Sequence, residues 1–174
     1  MLENPPGMPN RSRAAGLSRM VIIVASLGVA IVAYFGLFGT PLVDAVSRWT
    51  AGSTAQVLNL FGASVSTSGT VVGSPTFAYQ IVAECTVIGP VILFAGTVVA
   101  YLATLKSKLL GIGVGLVVLT GLNLVRLVSL FYIGAVFPAY LPMAHFVVWQ
   151  AAIIISAIVL WLFWVERFAR RSYA

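Results

Sequence analysis

The chain has 174 residues, of which 60% are hydrophobic and 8% charged, and its mean hydropathy of +1.05 excludes an ordinary soluble globular domain. The net charge of +6 comes from basic residues that flank apolar runs, where the positive-inside bias of membrane proteins accounts for them, and nucleic-acid binding is set aside. One cysteine and one histidine exclude an internal disulfide, a cysteine-cluster metal site and a histidine pair for zinc, so neither metal nor cofactor is expected.

Residues 1–19, with Pro5, Pro6, Pro9, Arg11, Arg13 and Arg19, read as a polar basic tail on the cytoplasmic side. The apolar run over about 20–39 predicts a first membrane helix. It is too long for a signal-peptide core and lacks a small-x-small cleavage site. Residues 41–84 contain no spanning run. Leu42, Val46, Trp49, Val57, Leu60 and Phe61 recur at helical spacing there, which predicts an amphipathic helix on the membrane surface. Beyond Gly62 the period changes to two: Phe77, Tyr79 and Ile81 alternate with their neighbours, and Val71-Val72 sits between Gly69 and Gly73-Ser74-Pro75, which predicts a short β-hairpin.

Three further helices are predicted over about 87–105, 109–134 and 144–166. Thr86 is expected to cap the first of them, with Cys85 just ahead. Gly111 and Gly115 have the small-xxx-small spacing of close helix contacts, and Ala135 to Met143, with Pro138 and Pro142, reads as a loop. Lys106 and Lys108 on one side and Arg167, Arg170 and Arg171 on the other alternate as four spans with cytoplasmic termini require. The expected fold is therefore an all-α integral membrane protein: one domain over 20–174, four transmembrane helices, and an extracytoplasmic segment with a small β-hairpin and a surface helix.

Within that topology Cys85, Arg126 and His145 fall in one layer. Cys85 lies at the outer end of the second helix and His145 at the outer start of the fourth. Arg126, seven residues before Ile133, is expected about 10 Å below the outer end of the third. The chemistry that suits these groups is attack by a thiolate on a peptide carbonyl. The helix dipole and a neighbouring cation would favour the thiolate of Cys85, His145 would serve as acid or base, and Arg126 would hold the thiolate or the developing oxyanion. Asn123, on nearly the same helix face as Arg126, would orient it or contact the substrate backbone. Structural roles stand beside these. A lone cysteine is most often a small buried hydrophobe, and a histidine at a helix start a headgroup-level polar residue. Arg126 costs roughly 2.5 to 3.5 kcal/mol to insert, and an ion pair with Glu84 would account for it structurally.

Glu84-Cys85-Thr86, Asn123-Leu124-Val125-Arg126 and the single His145 opening the last helix resemble, in order and spacing, the Cys, Asn-x-x-Arg and His motifs of the exosortase/archaeosortase family, most of all the short exosortase H type. The resemblance covers about residues 77 to 150. The chain departs from the commonest pattern at Thr86-Val87, where many members have Ser-Gly, and at Trp149, where many have glycine. The resemblance implies a cysteine transpeptidase or protease of the bacterial cell membrane. Its substrates would be exported, membrane-anchored proteins ending in a short motif, one spanning helix and a basic cluster, and an acceptor of unknown identity would take the cleaved chain. It makes Cys85 the nucleophile, Arg126 the stabiliser and His145 the acid/base, with Asn123, Glu84 and Thr86 as substrate-binding or orienting neighbours. A non-catalytic assembly or scaffold subunit, using Arg126 and Asn123 to bind partner helices or lipid headgroups, is the reading from a different class.

Overall fold

A computed structural model describes residues 11–169, with the side chains of residues 11–19, 22 and 23 left aside. Much of the predicted basic tail, together with Arg170 and Arg171, lies outside the described residues.

The fold is mostly helical, with one small sheet. Helix α1 (Arg11–Leu37) begins nine residues before the predicted start, because hydropathy marks where the apolar run begins and not where helix propensity does. Gly39, at φ 74°, and Thr40 then turn the chain through 81° into α2 (Pro41–Leu60), whose proline occupies the first turn, where no N–H is missed. Helix α2 covers the expected stretch, but the face it buries is not the predicted stripe of Leu42, Val46, Trp49, Val57, Leu60 and Phe61. Val43, Ser47, Ala51, Thr54, Ala55 and Leu58 are buried, while Leu42 and Trp49 are exposed. It ends in a Schellman motif: Ala63 N–H donates to Leu58 O and Gly62 N–H to Asn59 O, both at 3.0 Å, with Gly62 at φ 82°.

The Asn59 side chain ties this end of α2 to the sheet, its Nδ2 donating to Val65 O at 3.0 Å and its Oδ1 accepting from Val65 N–H at 2.9 Å. The predicted hairpin gains a strand. Strands β1 (Ser66–Ser68), β2 (Val71–Gly73) and β3 (Ala78–Gln80) form an antiparallel sheet in that order, pairing Thr67 with Val72 and Val72 with Tyr79. Strand β1 is exposed throughout and polar, so it lacks the alternation that would have marked it. Its turn into β2 starts on Gly69 at φ 62°, as a two-residue hairpin loop with a leading glycine demands.

Helix α3 (Ile88–Ala100) runs back along α1, with Gly89 against the Tyr34 ring and Gly96 against Ala30. Its 13 residues stop short of the predicted 105, since residues 101–104 are not helical, and they fall short of the ~20 that cross the hydrocarbon core. Helix α4 (Leu105–Val136) follows, its first turn capped by Thr104. Gly111 and Gly115 do allow close approach, because a Cβ on either would overlap Trp164 or Phe94. The loop predicted over 135–143 is nearly absent. After Phe137 the chain re-enters helical structure at Pro138, passing through a 3-10 turn (Pro138–Tyr140), the single turn α5 (Leu141–Met143) and a π turn (Ala144–Val148) into α6 (Trp149–Trp164) and a last π turn (Val165–Ala169). Both prolines lie in the first residues of their turns, where a missing N–H costs nothing.

Two 32-residue helical stretches, Leu105–Val136 and Pro138–Ala169, are long and apolar enough to cross a membrane, and the bent pair Val24–Leu37 with Pro41–Leu60 would make a third. Two apolar clusters make the core. One runs along α3 from Val87 through Phe94 to Val98, takes in Leu119, and ends on Trp164, whose Nε1 donates to Ser107 O at 2.8 Å at the end that carries Lys106, Lys108 and Arg167. The other joins α2, the sheet and α4 through Ala51, Ala55, Leu58, Val72, Ile81, Leu127 and Phe131, and it includes Cys85.

Candidate functional site

Cys85 ends a 3-10 turn (Ala83–Cys85), not the first turn of a long helix, and its N–H donates to Val82 O at 2.9 Å. Thr86 is correspondingly displaced from the expected cap, since Val87 occupies the N-cap of α3. Its hydroxyl donates to Ala83 O at 2.7 Å and accepts from Ile88 N–H at 3.4 Å, so it braces the corner between turn and helix. Cys85 is 6% exposed, because the small-residue face of α2 and the sheet close over it.

Helix α4 supplies the facing polar groups. Asn123 Nδ2 donates to the Cys85 carbonyl at 2.9 Å, which joins two segments 38 residues apart. Arg126, one turn on, is 3% exposed and approaches His145, with Nη2 to Nδ1 at 3.4 Å. Guanidinium nitrogens only donate, so this contact is a hydrogen bond when His145 is neutral with its proton on Nε2. Cys85 shares an apolar cluster with Leu127, the residue after Arg126, and Tyr79 packs against that cluster.

The depths differ from those predicted, and in a coherent way. Helix α4 continues to Val136, so Arg126 lies ten residues, about 15 Å, from its end. The following helical stretch starts at Pro138, which sinks His145 seven residues, about 10 Å, into the fold. Extending both helices buries the arginine and lowers the histidine to meet it. His145 also lies in the π turn, the kind of widened turn that recurs at functional sites. Its ring is half-buried and packs edge-on against Phe146 at 4.6 Å.

Glu84 is exposed and makes no ion pair with Arg126; among the described residues the salt bridge found is Arg48 to Asp44, at 3.3 Å on the surface of α2. Arg126 is thus a buried cation without a carboxylate among the described residues. Its own Nε and the Oδ1 of Asn123, one a donor and one an acceptor, are buried with no hydrogen-bond partner.

Tyr79 belongs to this site although its sequence context read only as strand. Its hydroxyl donates to Leu127 O at 3.1 Å, one residue past Arg126, and its ring stacks with Phe77, which lies on Gly134 where a Cβ would overlap it. Burial, and secondarily Cys85, push the Tyr79 hydroxyl above its ordinary pKa, so it stays a donor. The signal available in sequence was an aromatic at an inward position of an alternating strand that runs on to the cysteine.

No protein-family model matches the chain, and no curated protein or solved structure matches it either.

Proposed function

We propose that the protein is a membrane cysteine protease or transpeptidase of the exosortase/archaeosortase kind, in which Cys85 opens an amide bond of a membrane-anchored substrate and carries the acyl group as a thioester. The observation that carries this reading is Arg126: a guanidinium buried to 3% exposure, hydrogen-bonded to the lone histidine and one turn from the Asn123 that holds the carbonyl of the lone cysteine, with no carboxylate among the described residues to neutralise it. Such a cation is costly in a bilayer unless an anion completes it. A thiolate, and then the oxyanion of a tetrahedral intermediate, are the anions this site would form.

The chemistry balances with the groups present. Neutral His145 takes the Cys85 proton at Nδ1, which breaks the Arg126 contact and releases Nη2 toward sulfur. The thiolate forms a C–S bond to the substrate carbonyl carbon, and the oxyanion takes hydrogen bonds from Arg126, whose unpartnered Nε–H is one available donor. Imidazolium protonates the leaving amine as the C–N bond breaks. In the second half an acceptor amine or water yields its proton to His145 and displaces the thiolate, which is then reprotonated. Asn123 fixes the Cys85 carbonyl through Nδ2, and its unpartnered Oδ1 would accept a substrate N–H. Glu84, being exposed, would act only at the rim, and Thr86 by holding the turn.

The orientation belongs to the same reading. Lys106, Lys108 and Arg167 gather at the end opposite Cys85, and the positive-inside bias puts that end in the cytoplasm of a bacterial cell. Helices α1, α3, α4 and α6 would then be four passes with both termini inside and the site facing outward. Helix α3 would do so as a short pass deepened by the turn before it.

The test is cleavage of tagged exported proteins that end in a spanning helix and basic cluster, coexpressed with wild type, Cys85→Ser, Arg126→Ala or His145→Ala at equal levels. Loss of processing in all three, with melting temperatures in detergent retained, is expected. Full processing by Cys85→Ser would end the thiol reading and leave a scaffold role.

A further inference from the structure

The sheet stops at an unpaired edge beside the candidate nucleophile. Ile81 N–H donates to Thr70 O and Ser74 N–H to Phe77 O, both at 2.8 Å, and Tyr79 pairs with Val72. Phe77, Tyr79 and Ile81 therefore aim their backbone groups at β2. By strand alternation Ala78 and Gln80 aim theirs outward, and among the described residues no backbone hydrogen bond takes them. Both residues are exposed, and neither a proline nor a charged side chain guards this edge in the way that exposed edges are usually blunted. The strand is also fixed in place, by the Tyr79 bond to Leu127 O and by Phe77 seated on Gly134. From Gln80 the chain reaches Cys85 in five residues.

We propose that the outer edge of β3 binds an extended peptide segment of the substrate as a fourth strand, through the N–H and C=O groups of Ala78 and Gln80, and so delivers the scissile amide to Cys85. The proposal rests on the protease reading and names how the segment is held. Main-chain pairing supplies affinity in such strand addition, while alternate side chains supply selectivity. A segment that precedes a spanning helix arrives at Cys85 with the correct end when it runs parallel to β3, since β3, Cys85 and α3 follow one another in that same order.

The probe is a coexpressed library of tagged exported proteins in which a short randomised segment precedes one spanning helix and a basic cluster. Cleaved members are then scanned with proline along the segment. Pairing predicts a period of two, with proline tolerated at alternate positions and lowering cleavage about three- to ten-fold at the others, the worth of one hydrogen bond. Ala78→Pro and Gln80→Pro each delete one outward N–H and spare the ladder to β2, so each should raise KM by a similar factor with kcat unchanged. Cleavage that depends on Cys85 but shows no alternation, with both proline variants at wild-type rate, would overturn the strand proposal and leave the protease intact. If no library member is cleaved by wild type, the protease reading falls and the strand proposal with it. Should the proline variants fail to fold, the substrate-side scan decides alone.

Discussion

Replacing Asn123 with alanine isolates the contact that joins the nucleophile turn to α4. Its Nδ2 bond to the Cys85 carbonyl is 2.9 Å long and lies between residues 3% and 6% exposed, so no water replaces it freely. Interhelical polar bonds in membranes are worth about 0.6 kcal/mol on average, whereas a buried carbonyl left unsatisfied costs about 1–3 kcal/mol. Taking about 1–2 kcal/mol, the turn at Ala83–Cys85 opens 5- to 30-fold more often in Asn123→Ala than in wild type. The chain has one cysteine, which makes maleimide labelling a clean reporter of that opening. Labelling should be slow in wild type and faster in the variant by this factor, while reporter cleavage falls by at least as much. Equal labelling rates in the two proteins would refute the claim that Asn123 holds Cys85 in place.

Arg126→Lys keeps the charge but loses the planar fork that reaches His145 and offers Nε, so kcat for reporter cleavage should drop by about 10²–10³. Gly115→Ala and Gly111→Ala should each destabilise the fold by about 1–3 kcal/mol, because their new methyl groups meet the Phe94 and Trp164 rings. Gly113→Ala, with nothing near it, should leave the melting temperature in detergent unchanged, and equal melting of all three would contradict the packing. Tyr79→Phe should cost about 0.5–1.5 kcal/mol at neutral pH through the lost bond to Leu127 O. Because the folded-state pKa of Tyr79 is raised, the unfolded chain gives up that proton first, and stability should fall as pH climbs above about 10. That alkaline loss should shrink in Tyr79→Phe, measured as denaturation midpoint against pH.

Long apolar runs and the period-two stretch were legible in sequence, because helix hydropathy and strand alternation are local properties. So was Arg126, which stands out in any apolar run for its cost. What escaped was depth. Hydropathy cannot tell that Pro138 and Pro142 would continue a helical stretch and not break it, so His145 was placed at a helix start when it sits in a π turn two helical turns down. Glu84 was drawn toward Arg126 by charge alone, yet the 3-10 turn that fixes Cys85 leaves Glu84 exposed. The first strand, Ser66–Ser68, was invisible because an exposed polar edge carries no pattern, and Tyr79 acquired its role only through contact with α4, 48 residues away.

The most direct test of the central claim is the mass of the protein recovered from cells that coexpress a cleavable reporter. A thioester account predicts an acyl adduct on the peptide containing Cys85, with the mass of the reporter portion that precedes the scissile bond, removed by hydroxylamine and absent from Cys85→Ser and His145→Ala. Reporter cleavage at full rate by Cys85→Ser, with no hydroxylamine-labile adduct on the wild type, would contradict it.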